Sequence, residues 1–420
     1  MHIPFPIAHI ACIVRDPLPP TRADLLTLFG AEMPRHGIGA TLVGQAGGHA
    51  GPPCHGGHAG PPWHGGGMYA VGRFTSRFAS LLTPLWDGLG LLRAWRAPGS
   101  RPDCIQVRDK VASGVLARIV AAVLGVPFVV WLSFPIVEGY AVRRDAIRRQ
   151  GRVLAWLPHA LRAAVARTVL YGFVLPGARH VFVQSDAMAA ALAIRGVPRA
   201  RMTAVPMGVD TALFDRRYIT PSLDPRLDGR HVVLYLGSVA QSRRSDFLLD
   251  VVAVLRTQDP DVLLVIAGDA PSPDEKAWMR AQIARRALGR HVLLTGWLPQ
   301  RTALGYAVRA HAALSPIPRG ALFDVSSPTK LVEYLALGIP CVANDIPDQA
   351  HVIAASGAGL CVPMDPAAFA AAVRRLLDEP LLAAAFAARG PAWVAGHRSY
   401  AILGQQVARA YTAILAGREP

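Results

Sequence analysis

The chain has 420 residues, which is enough for two domains of ordinary size. Apolar residues make up 52% of the chain and charged residues 17%, a balance that provides a large core and excludes global disorder. The formal net charge is +16, so we expect the protein to favour phosphorylated ligands, anionic membrane surfaces or nucleic acid.

The sequence predicts no targeting or membrane-spanning segment. Pro4 and Pro6 interrupt the N-terminus, and no basic stretch precedes an apolar one, so we expect no signal peptide. The longest apolar run, residues 119–135, is divided at Gly125-Val126-Pro127 into a helix end and a buried strand, each too short to span a bilayer. Five scattered cysteines without a Cys-x-x-Cys pair argue against a disulfide framework or a cysteine zinc site. Together these features predict a cytoplasmic protein.

The first half of the chain alternates between strand and helix patterns. Apolar runs bounded by turn residues predict strands, and apolar residues at helical spacing predict the segments between them. The predicted strands are 7–14, 40–43, 103–107, 127–133 and 181–185, and the predicted helices are 23–36, 111–124 and 187–195. This alternation is typical of a doubly wound parallel sheet.

Residues 47–67 form a low-complexity insertion that is rich in glycine, histidine and proline. A nine-residue segment that begins at Gly48 is repeated from Gly57 with few changes. Four histidines and one cysteine in the two copies could bind a metal ion, whereas a duplicated surface loop requires none. Because no other feature of the sequence indicates a metal-binding site, we expect a surface loop and no metal site.

Ser133 and Glu138 are candidates for contact with an acceptor substrate. Ser133 ends a predicted strand and Glu138 follows it in a predicted loop. In open α/β sheets, ligands bind in the crevice beyond the carboxyl ends of the strands. The alternative for Glu138 is an ordinary carboxylate that faces solvent.

A predicted helical region between Arg143 and Leu170 interleaves arginines with apolar residues. This pattern suits a helix that lies on the surface of an anionic membrane. An ordinary amphipathic helix with a solvated basic face explains the pattern equally well. Nucleic acid is not expected as a partner, because no recognition module accompanies the charge.

The second half begins after a linker rich in proline and aspartate at residues 220–229. Gly237 and Ser238 form a turn after its first strand, where glycine allows the backbone to approach a ligand closely. The predicted strands are 232–236, 262–268, 291–296, 312–315 and 341–343, and the predicted helices are 247–255, 276–288, 366–377, 380–389 and 400–415.

One short helix in the second half carries the strongest signal. Ser327 is predicted as its N-cap, Pro328 as its first residue and Gly338 as the residue just past its end. Lys330 falls in the first turn, where the helix dipole makes a cation unfavourable by roughly 0.3–1 kcal/mol unless an anion binds there. Glu333 lies on nearly the same face. The pair suits the phosphates and hydroxyls of a nucleotide-sugar, while a Lys330–Glu333 surface ion pair is the alternative.

The segment Pro328-Thr329-Lys330-Leu331-Val332-Glu333-Tyr334, followed by Gly338-Ile339-Pro340, resembles the donor-binding motif of the family-4 retaining glycosyltransferases of GT-B fold. A branch of that family carries Ser-Pro-Thr-Lys in this loop. Glu333 matches the glutamate that binds the nucleotide ribose in the family. Val325 occupies the position of the family's other glutamate.

The resemblance extends to two further places and implies a set of site residues. Arg243 occupies the position of a lysine that binds the diphosphate, although a solvated loop arginine is the alternative. The segment around Trp297 resembles the one that flanks the nucleotide base, although an indole in the core is also compatible. The implied catalytic residues are Arg243, Lys330 and Glu333, and the implied donor-binding residues are Gly237, Ser238, Gly296, Trp297, Ser327, Pro328, Thr329 and Leu331.

The fold implied by the resemblance is α/β: a GT-B fold of two Rossmann-like, doubly wound domains that face a central cleft. Residues 1–215 would form the acceptor-side domain with the insertion 47–67. Residues 230–395 would bind the nucleotide-sugar, and a C-terminal helix within 396–420 would cross back to the first domain.

The implied function is transfer of a sugar from a nucleotide-diphosphate donor to a saccharide or lipid-linked acceptor, in polysaccharide or glycolipid biosynthesis. The resemblance also implies retention of the anomeric configuration and no metal or other cofactor. The protein would act in the cytoplasm, with peripheral contact to the inner face of an anionic membrane left open. Two alternatives remain at this stage: another GT-B enzyme, such as a nucleotide-sugar epimerase, and a degenerate scaffold that binds nucleotide or lipid without turnover.

Overall fold

A computed structural model describes residues 8–47, 63–73, 79–97, 101–149 and 156–420 of the chain. Most of the predicted insertion, residues 48–62, lies outside these ranges. The described chain divides into two compact units. The first extends to Pro206 and takes up the chain again at Leu403–Pro420, and the second is Met207–Ile402.

A sheet of seven parallel strands forms the first unit. The strands are β1 (Ala8–Ile13), β2 (Ile38–Ala46), β3 (Met68–Arg73), β4 (Cys104–Arg108), β5 (Phe128–Leu132), β6 (His180–Val183) and β7 (Met202–Ala204). Their order in the sheet is β3-β2-β1-β4-β5-β6-β7. The α-helices are α1 (Met33–Arg35), α2 (Ala79–Arg96), α3 (Val111–Leu124), α4 (Ile136–Arg149), α5 (Leu157–Val169) and α6 (Asp186–Ala193). One π-helical segment, Asp24–Glu32, precedes α1, and another, Leu170–Val174, follows α5.

A second sheet, of six parallel strands, forms the second unit. The strands are β8 (His231–Leu236), β9 (Val262–Ala267), β10 (Val292–Gly296), β11 (Ala312–Ser315), β12 (Cys341–Asn344) and β13 (Gly359–Val362), in the order β10-β9-β8-β11-β12-β13. The helices are α7 (Phe247–Leu255), α8 (Pro273–Arg285), α9 (Gln300–Ala307), α10 (Thr329–Ala336), α11 (Pro347–Ser356), α12 (Pro366–Asp378) and α13 (Pro380–His397). The last helix of the chain, α14 (Tyr400–Leu415), belongs to the first unit from Leu403 onward.

The predicted α/β fold class is confirmed, and most predicted strands lie within a few residues of the observed ones. Three strands were missed: β3, β7 and β13. All three lie at an edge of their sheet, where one side of the strand is unpaired and the apolar pattern is weak. Helices α2, α9 and α11 were also missed. In α2, Pro84 and two glycines interrupt the helical pattern.

The first unit ends earlier than the predicted domain 1–215 and includes a second segment at the end of the chain. The boundary lies at Pro206, and the following segment belongs to the second unit because Val209 and Phe214 are buried in its core. At the other end of the chain, Tyr411 of α14 packs against Phe182 of β6, with 5.1 Å between ring centroids. The C-terminal helix therefore contributes to the core of the first unit.

A buried charge cluster lies at the carboxyl end of β4. The guanidinium of Arg108 is fully buried, donates to the carboxylate of Asp24, and lies 5.4 Å from the ring centroid of Trp131. Burial alone would raise the pKa of Asp24, but Arg108 and Arg22 hold that pKa below its usual value. Both carboxylate oxygens of Asp24 accept from Arg22, at 2.9 and 3.0 Å. The cluster is a structural ion network of the first unit.

The strand order of the second sheet reverses direction between β8 and β11. From β8 the chain proceeds outward to β9 and β10, and then returns to start again at β11 on the other side of β8. At such a switch point the flanking loops leave in opposite directions and open a crevice beyond the carboxyl ends of the two strands. Helix α10, which follows β11, begins beside this point.

Candidate functional site

Two glycines bring the ends of β8 and β9 into close contact at this edge of the sheet. Gly237 has φ +126° and Gly268 has φ +156°, both in the region that side chains rarely adopt. A Cβ at Gly268 would overlap the carbonyl group of Gly237. The N–H of Gly237 donates to the carbonyl oxygen of Ala267 at 3.0 Å. Backbone rather than side chain therefore lines the end of β8.

Lys330 lies directly against this glycine turn. Lys330 is only 9% exposed to solvent. A Cβ at Gly237 would lie 2.8 Å from Cε of Lys330 and 3.3 Å from Nζ. The ammonium is 5.2 Å from the ring centroid of Tyr235, in β8. Within the described residues no carboxylate lies within ion-pair distance of Lys330, so this nearly buried ammonium at the end of β8 forms no ion pair with the protein.

Helix α10 places Lys330 there, and its start differs from the prediction. The helix begins at Thr329, its N-cap is Pro328, and no side chain accepts a hydrogen bond from its first N–H groups. The predictions that Ser327 caps the helix and that Pro328 is its first residue were therefore wrong. Gly338 follows the helix with φ +63°, which confirms the predicted end.

Ser327 instead belongs to a buried hydrogen-bond network. Its hydroxyl donates to Oδ2 of Asp348 at 2.8 Å and accepts from the N–H of Met207 at 3.0 Å. Arg398 donates to Oδ1 of Asp348 at 2.6 Å and to the Ser327 hydroxyl at 3.2 Å. The side chains of Arg398 and Asp348 are 7% and 9% exposed. This network fixes the residue that precedes Pro328 and thereby the approach to α10.

Glu333 is half-buried one turn after Lys330. Burial raises the pKa of its carboxyl to about 7, and the positive charge of Lys330 opposes that rise in pKa. Among the described residues the carboxylate has no hydrogen-bond partner, and the predicted alternative of a Lys330–Glu333 surface ion pair is not formed. Tyr334 is buried beside it and its hydroxyl accepts from the N–H of Leu236 at 2.8 Å, which fastens α10 to β8.

The other donor-side candidates lie along the same edge of the sheet or in the adjoining loops. Ser238 follows Gly237, and Arg243 ends a 3₁₀ turn with an exposed side chain. Gly296, with φ +71°, ends β10. Trp297 follows it and is 40% exposed, so the alternative of a core indole is wrong. Leu331 is buried in the core of the second unit, which leaves only its backbone available to a ligand.

The two acceptor-side candidates lie in the first unit and have protein partners. The N–H of Ser133 donates to Oδ1 of Asp109 at 2.8 Å, and its hydroxyl donates to the other carboxylate oxygen. Glu138 lies in the first turn of α4 rather than in a loop, because the helix begins directly after Pro135. An ion pair with Arg195 at 2.7 Å holds its carboxylate, so it does not simply face solvent.

Sequence reasoning missed the network that supports the site. Arg398 is 71 positions from Ser327, and Tyr235 reads as an ordinary strand residue. Neither position carries a local signal, because their roles come from contacts between distant segments.

In the part of the chain that the structure describes, no group of three or more His, Cys, Asp or Glu side chains is arranged to hold a metal ion.

The chain resembles solved structures along almost its full length. Sucrose-phosphate synthase from Thermosynechococcus elongatus superimposes with a TM-score of 0.69 at 18% identity, covering 98% of this chain and 100% of that one. HepE from Anabaena in complex with UDP superimposes with a TM-score of 0.65 at 16% identity, covering 97% of this chain and 100% of that one. At this level of identity the likeness establishes the fold, which is the GT-B fold.

Two protein-family models match the chain, each over most of one unit. The model for glycosyl transferases group 1 matches residues 230–379, and the model for a glycosyl transferase 4-like domain matches residues 26–208. Both units of the chain therefore match glycosyltransferase domain families, and the chain has the GT-B fold. Its candidate site lies within the region matched by the first of these models.

Individual curated relatives match only part of the chain. It is 28% identical over 190 residues to alpha-D-kanosaminyltransferase of Streptomyces kanamyceticus, covering 45% of this chain and 47% of the relative. It is 31% identical over 215 residues to phosphatidyl-myo-inositol mannosyltransferase of Mycolicibacterium smegmatis, covering 50% and 51%. The chain thus spans about half the length of the first curated relatives it matches. A longer match, 26% over 329 residues, is to 2-deoxystreptamine glucosyltransferase of Streptomyces kanamyceticus, covering 76% and 78%.

Proposed function

We propose that this protein is a glycosyltransferase that moves a hexosyl group from a nucleotide-diphosphate donor to a saccharide or lipid-linked acceptor. The observation that carries the proposal is the nearly buried ammonium of Lys330 beside Gly237, at the switch point of the second sheet. A cation in that place, without a carboxylate partner, is stabilised when an anionic ligand binds. The diphosphate of a nucleotide-sugar supplies such an anion.

The remaining donor contacts follow from the placement of α10. Its first N–H groups lack a side-chain cap, so they are open to phosphate oxygens. Arg243 would approach the same diphosphate from the exposed turn after β8. Glu333 would accept hydrogen bonds from ribose hydroxyls, and the exposed indole of Trp297 would stack on the base. HepE was solved with UDP, which supports a nucleotide ligand for this fold.

In the proposed reaction the bond between the anomeric carbon and the diphosphate oxygen breaks, and an acceptor oxygen forms the new glycosidic bond. The leaving diphosphate takes up negative charge, which Lys330, Arg243 and the start of α10 would stabilise. The acceptor hydroxyl loses its proton to a phosphate oxygen of the leaving group, on the face from which that group departs. This geometry retains the anomeric configuration and requires no separate protein base.

The acceptor is proposed by class only. The names of the matched relatives include both a 2-deoxystreptamine glucosyltransferase and phosphatidyl-myo-inositol mannosyltransferases, which supports a saccharide-like or a lipid-linked acceptor. A role in polysaccharide or glycolipid biosynthesis, in the cytoplasm and at the inner face of the membrane, is consistent with either class.

A donor panel tests the proposed function. Purified protein would be incubated with UDP-glucose, GDP-mannose and related donors, together with a membrane extract as the source of acceptor. We expect one donor to release its free nucleoside diphosphate and to place labelled sugar on the acceptor. Conversion of the donor into an isomeric nucleotide-sugar would indicate an epimerase, and binding of a donor without any turnover would indicate a scaffold. Either result would overturn the proposal.

The raised pKa of Glu333 predicts a pH dependence of donor binding. Because the carboxyl has a pKa of about 7 in the folded protein, it is mostly protonated at pH 6 and ionised at pH 8. Only the ionised form accepts hydrogen bonds at both oxygens, so donor affinity should rise between these pH values. An intact nucleotide-sugar should be titrated calorimetrically, since its diphosphate has no group that ionises in this range.

The variant Glu333→Gln provides the control for this prediction. It keeps the shape of the side chain and removes its titration, so we expect weaker donor binding that no longer changes between pH 6 and pH 8. If the wild-type affinity is flat over that interval, or if the variant retains the same rise, Glu333 does not contact the donor in its ionised form.

Gly237→Ala tests the close approach of β8 to Lys330. The added Cβ would lie 2.8 Å from Cε and displace the ammonium, so we expect donor affinity to fall by about tenfold. Gly229→Ala is the matched control. Gly229 also has positive φ, at +67°, but no atom lies near its Cβ direction. Alanine at positive φ is strained in both variants, and more so at φ +126° than at φ +67°. Equal affinities for the donor would show that neither this strain nor the contact with Lys330 affects donor binding.

A further inference from the structure

Three neighbouring helices of the first unit expose rows of apolar side chains. Helix α3 packs against α2 on one side and α5 on the other. Leu85 of α2 is 65% exposed and Leu161 of α5 is 66% exposed. The exposed apolar residues of these helices are Leu82, Leu85, Leu89 and Leu92 on α2, Ile119 and Val123 on α3, and Leu157, Leu161 and Val165 on α5. We call these nine residues the apolar rows.

The spacing of the rows is that of a single helix face turned outward. On α2 the four leucines follow one another at intervals of three and four residues, and on α5 the interval is four. An ordinary surface helix turns its apolar face to the core and its polar face to water. Elsewhere the strongly exposed apolar side chains stand separately, as at Leu223 and Leu381 in the second unit. Rows on three adjacent helices mark an interaction surface.

The charge on these helices selects the kind of partner. The three helices contain only one acidic residue, Asp87, and it is fully buried in contact with Lys110, Gln45 and Ser113. The arginines on the same helices that are exposed to solvent are Arg93 and Arg96 on α2 and Arg162 and Arg167 on α5. The surface therefore combines apolar rows with positive charge and exposes no carboxylate from these three helices.

We propose that the apolar rows and their arginines bind the surface of an anionic lipid bilayer. The leucines and valines would enter the boundary between head groups and acyl chains, and the arginines would lie at the lipid phosphates. Among the described residues no helix is long and apolar enough to cross a membrane. The net charge of +16 adds long-range attraction to such a surface. The inference stands independently of sugar transfer.

Co-sedimentation with lipid vesicles tests the proposal. The full chain would be mixed with vesicles of phosphatidylglycerol and phosphatidylcholine, or of phosphatidylcholine alone, at low and high salt. We expect binding to the anionic vesicles, much weaker binding to the neutral ones, and a decrease with salt. Absence of the protein from the anionic vesicle pellet would overturn the proposal.

Two pairs of variants separate the apolar contribution from the charge. Leu85→Ser with Leu161→Ser should lower the partition coefficient into anionic vesicles at least about tenfold, because two leucines that would enter the bilayer are lost. Leu223→Ser with Leu381→Ser is the matched control and should leave it unchanged. Arg162→Gln with Arg167→Gln should lower binding on the order of tenfold, whereas Arg280→Gln with Arg301→Gln, exposed arginines of the second unit, should lower it less.

A melting curve for each variant checks that it remains folded. All eight positions in these variants are exposed, so we expect melting temperatures close to the wild type. Analytical ultracentrifugation tests the alternative that the apolar rows bind a second copy of the chain. If the wild type forms a dimer that Leu85→Ser with Leu161→Ser dissociates, the rows bind a second copy of the chain and the lipid proposal is wrong.

Discussion

Replacing Lys330 by methionine should abolish most sugar transfer while leaving the fold intact. Methionine keeps the length and apolar stem of the side chain but removes the positive charge beside Gly237. The leaving diphosphate then loses a preorganised cation, and we expect kcat/KM to fall by roughly 10²–10³-fold, as when one charge-stabilising donor is removed from an enzyme site. Because the buried ammonium has no carboxylate partner in the described protein, its removal should not lower the melting temperature of the apo form.

Lys276→Met is the matched control for this prediction. Lys276 lies in the same unit, in an ion pair with Asp269 at 2.9 Å, and its side chain is 41% exposed. Its replacement should change kcat/KM far less than the replacement of Lys330. Lys330→Arg should rescue little, because the larger guanidinium does not fit against the glycine turn. Equal activity in Lys330→Met and Lys276→Met would remove Lys330 from the reaction.

Replacing Arg398 by methionine should destabilise the second unit by about 3–5 kcal/mol, the usual cost of breaking a buried ion pair. The variant leaves the carboxylate of Asp348 buried without its cation, and Ser327 loses one of its three partners. Urea denaturation followed by circular dichroism would measure the loss as a lower midpoint. Arg375→Met is the control, since its pair with Glu379 at 3.0 Å is exposed and should contribute less than about 1 kcal/mol.

A double variant distinguishes stability from positioning. Arg398→Met combined with Asp348→Leu removes both charges, so we expect much of the lost stability to return. Ser327 then has neither side-chain partner, and the start of α10 is less firmly held. Donor affinity should therefore stay reduced in the double variant although the fold is stable. Recovery of both stability and affinity would show that the network supports the fold alone.

The elements around the site differ in how far the sequence predicts them. The end of α10 was predicted correctly, because Gly338 marks it through a backbone conformation that glycine favours. Its start was not, because Ser327 could cap the helix locally but finds Asp348 and Arg398 across the unit instead. Local propensity gives the options open to a side chain, and tertiary partners decide among them.

The position of Lys330 beside Gly237 could be anticipated only through topology. The two residues are far apart in sequence, and they meet because β8 and β11 are neighbours in a parallel sheet whose order reverses there. The apolar rows, in contrast, could not be predicted from the sequence. The sequence around Arg143 to Leu170 suggested a basic amphipathic helix, but helix α2 was missed, so the continuity of the rows over three helices could not be seen.

The most direct test of the central claim is a crystal structure of the wild-type protein with UDP or GDP, whichever nucleotide the donor panel selects. We predict a diphosphate oxygen at about 3 Å from Nζ of Lys330, with other phosphate oxygens accepting from the first N–H groups of α10. A nucleotide bound away from the ends of β8 and β11, with Lys330 still packed over Tyr235 and free of phosphate, would contradict the account.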